Sequence, residues 1–179
     1  ATRVGADGLI EKGRENLLTQ SNTFNSTDWS SIGITPTSGQ DGYDGTNDAW
    51  LLTSTANYKS LVQNVSSSGV NTFSAYLKDN NIGLVQLYIL SGGFNLINID
   101  LTAGVITGQA GSNIIDKGIE SIGNGWYRVY ITVNASITSA RIIFNDLSGT
   151  SFFIQDAQLE SGLVATPYIE TGATSAQAG

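Results

Sequence analysis

Apolar and polar side chains take turns along the middle of this 179-residue chain, and that alternation limits what it can fold into more than any other feature. Phe73, Ala75 and Leu77 alternate with Thr72, Ser74, Tyr76 and Lys78. Val85, Leu87 and Ile89 alternate with Gln86 and Tyr88, and Val129, Ile131 and Val133 with Trp126, Arg128, Tyr130 and Thr132. A period of two puts successive side chains on opposite faces of a strand, one toward a core and one toward water. No segment carries the i, i+3, i+4, i+7 stripe of an amphipathic helix. The pattern predicts strands near 17–20, 29–35, 49–54, 58–65, 71–78, 83–90, 94–100, 104–108, 113–121, 126–133, 139–145 and 151–160. Turn signals separate them, among them Asp79-Asn80-Asn81, Ser91-Gly92-Gly93 and Gly123-Asn124-Gly125. The expected fold is all-β, a two-sheet antiparallel jelly-roll sandwich over residues 17–170. Residues 1–16, rich in charge and glycine, read as an extended arm, and 171–179 as a tail or linker.

Composition removes most chemistries. With no Cys and no His, the chain has no thiolate or imidazole to serve as nucleophile, base or zinc ligand. A net charge of −7 argues against a nucleic-acid partner, and no apolar run is long enough for a membrane-spanning helix. Paired carboxylates remain the one available acid/base device. The acids, however, sit mostly in turns or near the ends, and no pair marks a cleft floor. The chain therefore reads as non-enzymatic. It lacks a Met at position 1 and indeed anywhere, which suits a processed product or a segment of a longer protein.

Two groups of residues could bind something. Asp41, Asp44 and Asp48 lie in a Gly-bearing stretch that could offer oxygens to a hard cation such as calcium, or form an Asx-rich surface turn. Tyr76, Lys78, Gln86, Tyr88, Arg128 and Tyr130 all fall on the outward phase of the central strands. Flat aromatic rings beside amide, ammonium and guanidinium groups suit sugar rings, which carry apolar faces edged by hydroxyls. The same set could instead stabilise a wet sheet by cross-strand pairing, or be buried against another chain. Trp29, Trp50 and Trp126 read as core or rim packing, with the Trp126 ring closing one end of the sandwich.

Three stretches together resemble a known module. The chain opens Ala1-Thr2-Arg3-Val4, Gly8-Leu9-Ile10-Glu11 and Arg14-Glu15-Asn16-Leu17-Leu18, running on to Phe24 and Trp29. Gly125-Trp126-Tyr127-Arg128-Val129 follows, and the close is Ala157-Gln158-Leu159-Glu160, Gly162 and Ala165-Thr166-Pro167-Tyr168-Ile169. This series resembles a jelly-roll module of tailed-bacteriophage virion proteins, found in tail fibres and head fibres or decorations. The resemblance implies a virion-surface protein with a carbohydrate-binding-module-like sandwich, serving host attachment through cell-surface polysaccharide, or a purely architectural decoration or fibre connector. It implies other virion proteins as partners and a homo-oligomer, a trimer, in which Leu9 and Ile10 could be buried. No cofactor is required. Related sandwich modules often hold a structural calcium between the first and last strands, and by that resemblance the ligands would be Asn25 and Asp156.

Overall fold

The structure is a computed structural model and describes residues 2–4, 8 and 10–178. Fifteen strands and no helix occur among these residues, so no helix there is long and apolar enough to cross a membrane. In chain order they are β1 (Thr2–Val4), β2 (Ile10–Lys12), β3 (Glu15–Asn16), β4 (Ile34–Gln40), β5 (Ala49–Ser54), β6 (Ser60–Ser67), β7 (Val70–Asp79), β8 (Leu84–Leu90), β9 (Phe94–Asp100), β10 (Val105–Ala110), β11 (Ile114–Gly123), β12 (Trp126–Asn134), β13 (Ile137–Phe144), β14 (Ser151–Ser161) and β15 (Ala176–Gln177). Two antiparallel sheets dominate, one of five strands in the order β10-β9-β8-β13-β6 and one of six in the order β11-β12-β7-β14-β5-β4. The chain changes sheet at β5–β6, β6–β7, β7–β8, β10–β11, β12–β13 and β13–β14, which makes the sandwich a jelly roll.

The inward phase of each strand builds the layer between the sheets. Phe73, Ala75, Leu77, Val129 and Ile131 from one sheet meet Val85, Leu87, Ile89, Ile97 and Ile142 from the other, all fully buried. Burying a side chain of this size contributes roughly 1.5–3 kcal/mol, so this shared layer supplies most of the fold's stability. Trp29 and Trp50 pack on Phe24 at one part of it, and their indole nitrogens donate to the carbonyls of Gln20 and Asn22. Tyr127 fills the space between sheets at the β9–β10 turn. Its ring lies so close over Gly104, itself at φ +69°, that no Cβ fits there.

The ends differ from the expected arm and tail. The start is a hairpin, β1 on β2, and Leu9 lies outside the described residues, as does the side chain of Ile10. Residues 14–16 belong to the body. Asn16 is fully buried, its amide donating to Ala157 O and Ile169 O while its oxygen accepts from the Leu18 and Leu159 N–H groups. The tail returns to pair β15 with β3. The strands predicted at 17–20 and 29–35 are mostly turns, because Gln20, Ser26 and Ser31 carbonyls accept local turn hydrogen bonds there, and the first long strand starts only at Ile34.

The largest departure concerns the outer face of the six-stranded sheet. Alternation predicts a wet face, yet Thr72, Ser74, Thr132, Gln155, Gln158 and Glu160 are almost wholly buried there. The chain leaving β14 folds back as a strap, residues 162–169. Glu160 accepts from Gln158 Nε2 at 2.6 Å, from the Thr166 N–H at 3.2 Å and from the Thr166 hydroxyl. Gln158 accepts from the Ile169 N–H at 2.7 Å, and Thr72 donates to Gly162 O at 2.8 Å. Arg128 donates to the carbonyls of Ala165 and Thr166. Polar side chains are tolerated under cover because the strap's backbone supplies their partners. The closing sequence from Gln158 to Ile169 is thus a fastening. Replacing Glu160 with Ala strips three donors of their acceptor. Denaturant unfolding should show a loss of about 2–3 kcal/mol, with faster amide hydrogen exchange at residues 163–169. An unchanged midpoint would remove the strap from the account.

Candidate functional site: two outer faces

The six residues expected to share one face lie on two. Tyr76 and Lys78 on β7 and Arg128 and Tyr130 on β12 project from the six-stranded sheet, where Arg128 pairs with Tyr76 in register. Gln86 and Tyr88 on β8 project from the five-stranded sheet, on the opposite side of the molecule. Alternation reports which face of its own strand a side chain takes, not which sheet the strand joins.

On the six-stranded sheet the expected platform is closed over. Besides the strap, the loop 41–48 lays Tyr43 flat on Tyr76, with centroids 3.7 Å apart and planes 6° from parallel. The Arg128 guanidinium lies 5.2 Å from the centroid of the same ring. Trp126 does not close an end of the sandwich. It sits on this outer face beside Tyr43 and Phe153, 2% exposed, because its place in register is opposite Lys78 and the neighbouring Tyr127 takes the inward position. Tyr76 is therefore structural. Lys78 stays half-buried, its ammonium 6.0 Å from the centre of the Phe153 ring. The Arg128–Tyr130 end keeps open space beside it.

The outer face of the five-stranded sheet is open. Phe94 is 52% exposed and Leu84 39%. Tyr88 and Phe94 lie with centroids 6.4 Å apart and planes 28° from parallel, and the Arg141 guanidinium is 5.4 Å from the Tyr88 centroid. Register explains this grouping, since Arg141 pairs with Tyr88, Phe94 with Leu90 and Gln86 with Asn98. Gln86 Nε2 donates to Asn98 Oδ1 at 2.7 Å, and Arg141 Nε to Ser139 Oγ at 3.0 Å. These bonds stay within the sheet and leave amide and guanidinium atoms facing out. From Gln86 to Leu90 and across β13, β8 and β9 the face measures roughly 13 Å by 10 Å. An exposed patch that mixes rings with hydrogen-bonding groups marks a contact surface. Phe94 and Arg141 were absent from the expected set. Phe94 directly follows the Ser-Gly-Gly turn, in phase with Leu96 and Asn98, and that phase was the signal available for it.

Solved structures with this architecture include a xylan-binding domain and a domain of a phage tailspike protein. The CBM22-1 xylan-binding domain of Paenibacillus barcinonensis Xyn10C superposes with a TM-score of 0.55 at 13% identity, over 87% of this chain and 99% of that one. The fold is that of a carbohydrate-binding-module jelly roll. The enzymatically active domain of tailspike protein 4 from bacteriophage CBA120 superposes with a TM-score of 0.50 at 14% identity, over 82% of this chain and 21% of that one. No family model matches the chain, and no curated protein matches it in sequence.

The calcium site suggested for such modules does not fit the residues present. Asn25 is exposed in a turn, whereas Asn22 is the residue brought to Asp156, accepting from its N–H at 3.0 Å. Asp156 sits in a β-bulge at φ 54°, and its carboxylate accepts from the Tyr43 hydroxyl at 2.6 Å. Asp44 caps its own turn, accepting from Thr46, and takes a bond from Gln155 Nε2. Asp41 and Asp48 are exposed. Among the described residues no three carboxylates gather around a common point. The loop 41–48 is an Asx-rich turn that hooks Tyr43 onto Asp156.

This arrangement has a pH signature. Burial raises the Asp156 carboxyl to about 6, with Asp44, Asp48 and Glu170 adding to it and the Tyr43 hydrogen bond opposing. A carboxyl raised on folding binds its proton more tightly in the folded state. Its contribution is thus present below about pH 4 and is lost as pH rises through about 6. Thermal and urea unfolding should show roughly 3 kcal/mol of stability lost across that window, and Asp156→Asn should abolish the dependence while matching or exceeding wild type at pH 7. A calcium-dependent rise in melting temperature at pH 7 that Asp156→Asn removes would contradict this reading.

Proposed function

We propose that the chain is a non-catalytic glycan-binding module that holds a polysaccharide on the open face of its five-stranded sheet. The observation that carries the reading is the pairing of half-buried Tyr88 with exposed Phe94, flanked by Arg141 and by the Gln86–Asn98 amides. Each ring offers a flat apolar surface to a pyranose, and the flanking groups offer donors and acceptors to its hydroxyls. The xylan-binding domain with the same fold supports the ligand class. The sequence resemblance supports the setting: a module on the surface of a tailed-phage particle, joined to other virion proteins in a trimer and used for host attachment. Symmetric repetition would raise weak single-site contacts to useful avidity. The reading needs no metal or cofactor.

Affinity electrophoresis in gels cast with host envelope polysaccharides or with xylan tests it. Retardation of the wild type should weaken at least tenfold in apparent affinity, about 1.4 kcal/mol, when Tyr88→Ala and Phe94→Ala are combined. The melting temperature should move little, since exposed cross-strand pairs contribute about 0.2–1 kcal/mol each. Retardation that survives both changes would refute the site. Absence of binding to any envelope polysaccharide would favour a purely architectural decoration or connector, and release of sugar from any of them would refute the non-catalytic reading.

A further inference from the structure

The outer side of the six-stranded sheet has an opening beside the strap. Between β11, β12 and the strap lies a cavity of about 170 Å³, lined by Glu120, Arg128, Tyr130, Val164 and Ala165. Glu120 pairs with Arg128 in register, and Gly118 with Tyr130. The missing side chain at Gly118 makes room for the Tyr130 ring, since a Cβ there would collide with it. The Tyr130 hydroxyl donates to Asp116 Oδ2 at 3.2 Å, so the ring is held down at its far end as well. Val164, 63% exposed, is an apolar wall presented by the strap.

Arg128 is what turns this opening into a site. Its two Nη groups are committed to the carbonyls of Ala165 and Thr166, and its Nε is a buried donor with no protein acceptor. That Nε stays enclosed, whereas each Nη group keeps a second hydrogen beyond the one its strap carbonyl takes. Glu120, exposed and directly across, supplies acceptors.

We propose that this cavity binds a single neutral pyranose ring, stacked on Tyr130, with its hydroxyls shared between the Arg128 guanidinium and Glu120. The volume falls below the roughly 300–1,000 Å³ of pockets for drug-sized ligands, so one ring enters and a chain does not. The electrostatics select against acids. Recognition of a carboxylate or phosphate uses the guanidinium fork, and here each Nη group already gives one hydrogen to a strap carbonyl. Glu120 offsets the charge of Arg128, and the whole chain carries −7, which repels anions. The site stands apart from the open face. That face suits the length of a polysaccharide and this cavity a single unit, so the two would read different parts of a glycan.

Amide chemical-shift titration of the intact chain with free monosaccharides tests the proposal. Glucose, galactose, mannose and N-acetylglucosamine serve as neutral probes, with glucuronic acid and inorganic phosphate as charged ones. At least one neutral sugar should give saturable shifts at residues 119–121, 129–131 and 164–166. Tyr130→Ala and Glu120→Ala should each weaken that binding at least tenfold, and Glu120→Gln less. Tyr88→Ala should leave it unchanged, which separates this site from the open face whether or not that face binds polysaccharide. No saturable shift at these amides with any neutral sugar would overturn the proposal. So would tighter binding of glucuronic acid or phosphate, or binding that Tyr130→Ala does not weaken.

Discussion

Two sheets share one apolar layer, and every other feature of the molecule answers to that sharing. Once Phe73, Leu77, Ile131, Leu87 and Ile142 are committed to the interior, period two forces their neighbours outward on both sides. Each outer face must then find water or protein for its polar groups. The two sheets resolve this differently. On the six-stranded sheet, Gln158, Glu160 and Arg128 capture the chain as it leaves β14, and Tyr43 clamps a loop onto Tyr76. On the five-stranded sheet nothing described folds back, and rings and amides stay at the surface. This face is open because the covering segment lies on the other side.

That asymmetry sets the limit of what the sequence revealed. The strand positions, the antiparallel sandwich and the inward side chains follow from alternation and turn chemistry, which are local. The allocation of strands to sheets is not local. Gln86 and Tyr88 share a phase with Tyr76 and Tyr130, but the chain changes sheet between β7 and β8, and no short-range signal records that crossing. The burial of Glu160 and Gln158 was equally hidden, since a polar residue in outward phase looks the same whether water or a strap will satisfy it. The recurrence of Gln158-Leu159-Glu160 with the Thr166-Pro167-Tyr168-Ile169 exit was the available clue. Asn22 rather than Asn25 meets Asp156, accepting from its backbone N–H at a β-bulge in β14. Phe94, Glu120 and Arg141 became visible only when register placed them beside residues already in view.

Likeness to sugar-binding modules at 13% identity fixes the architecture and leaves function to the side chains. Those side chains separate two kinds of recognition. An extended open face with paired rings is tolerant of sequence along a polymer and gains from repeated contacts. A small cavity with one ring, a guanidinium and one carboxylate suits a single unit. An Asp156–Tyr43 hydrogen bond ties the loop 41–48 to the bulge in β14 on the covered side.

A crystal structure of the chain with a linear neutral oligosaccharide of the polysaccharide that retards it most strongly tests the central claim directly. Sugar density lying across Tyr88 and Phe94, with hydrogen bonds to Arg141 and to Gln86 or Asn98, is the predicted result. An oligosaccharide seated elsewhere while those rings stay bare would contradict it.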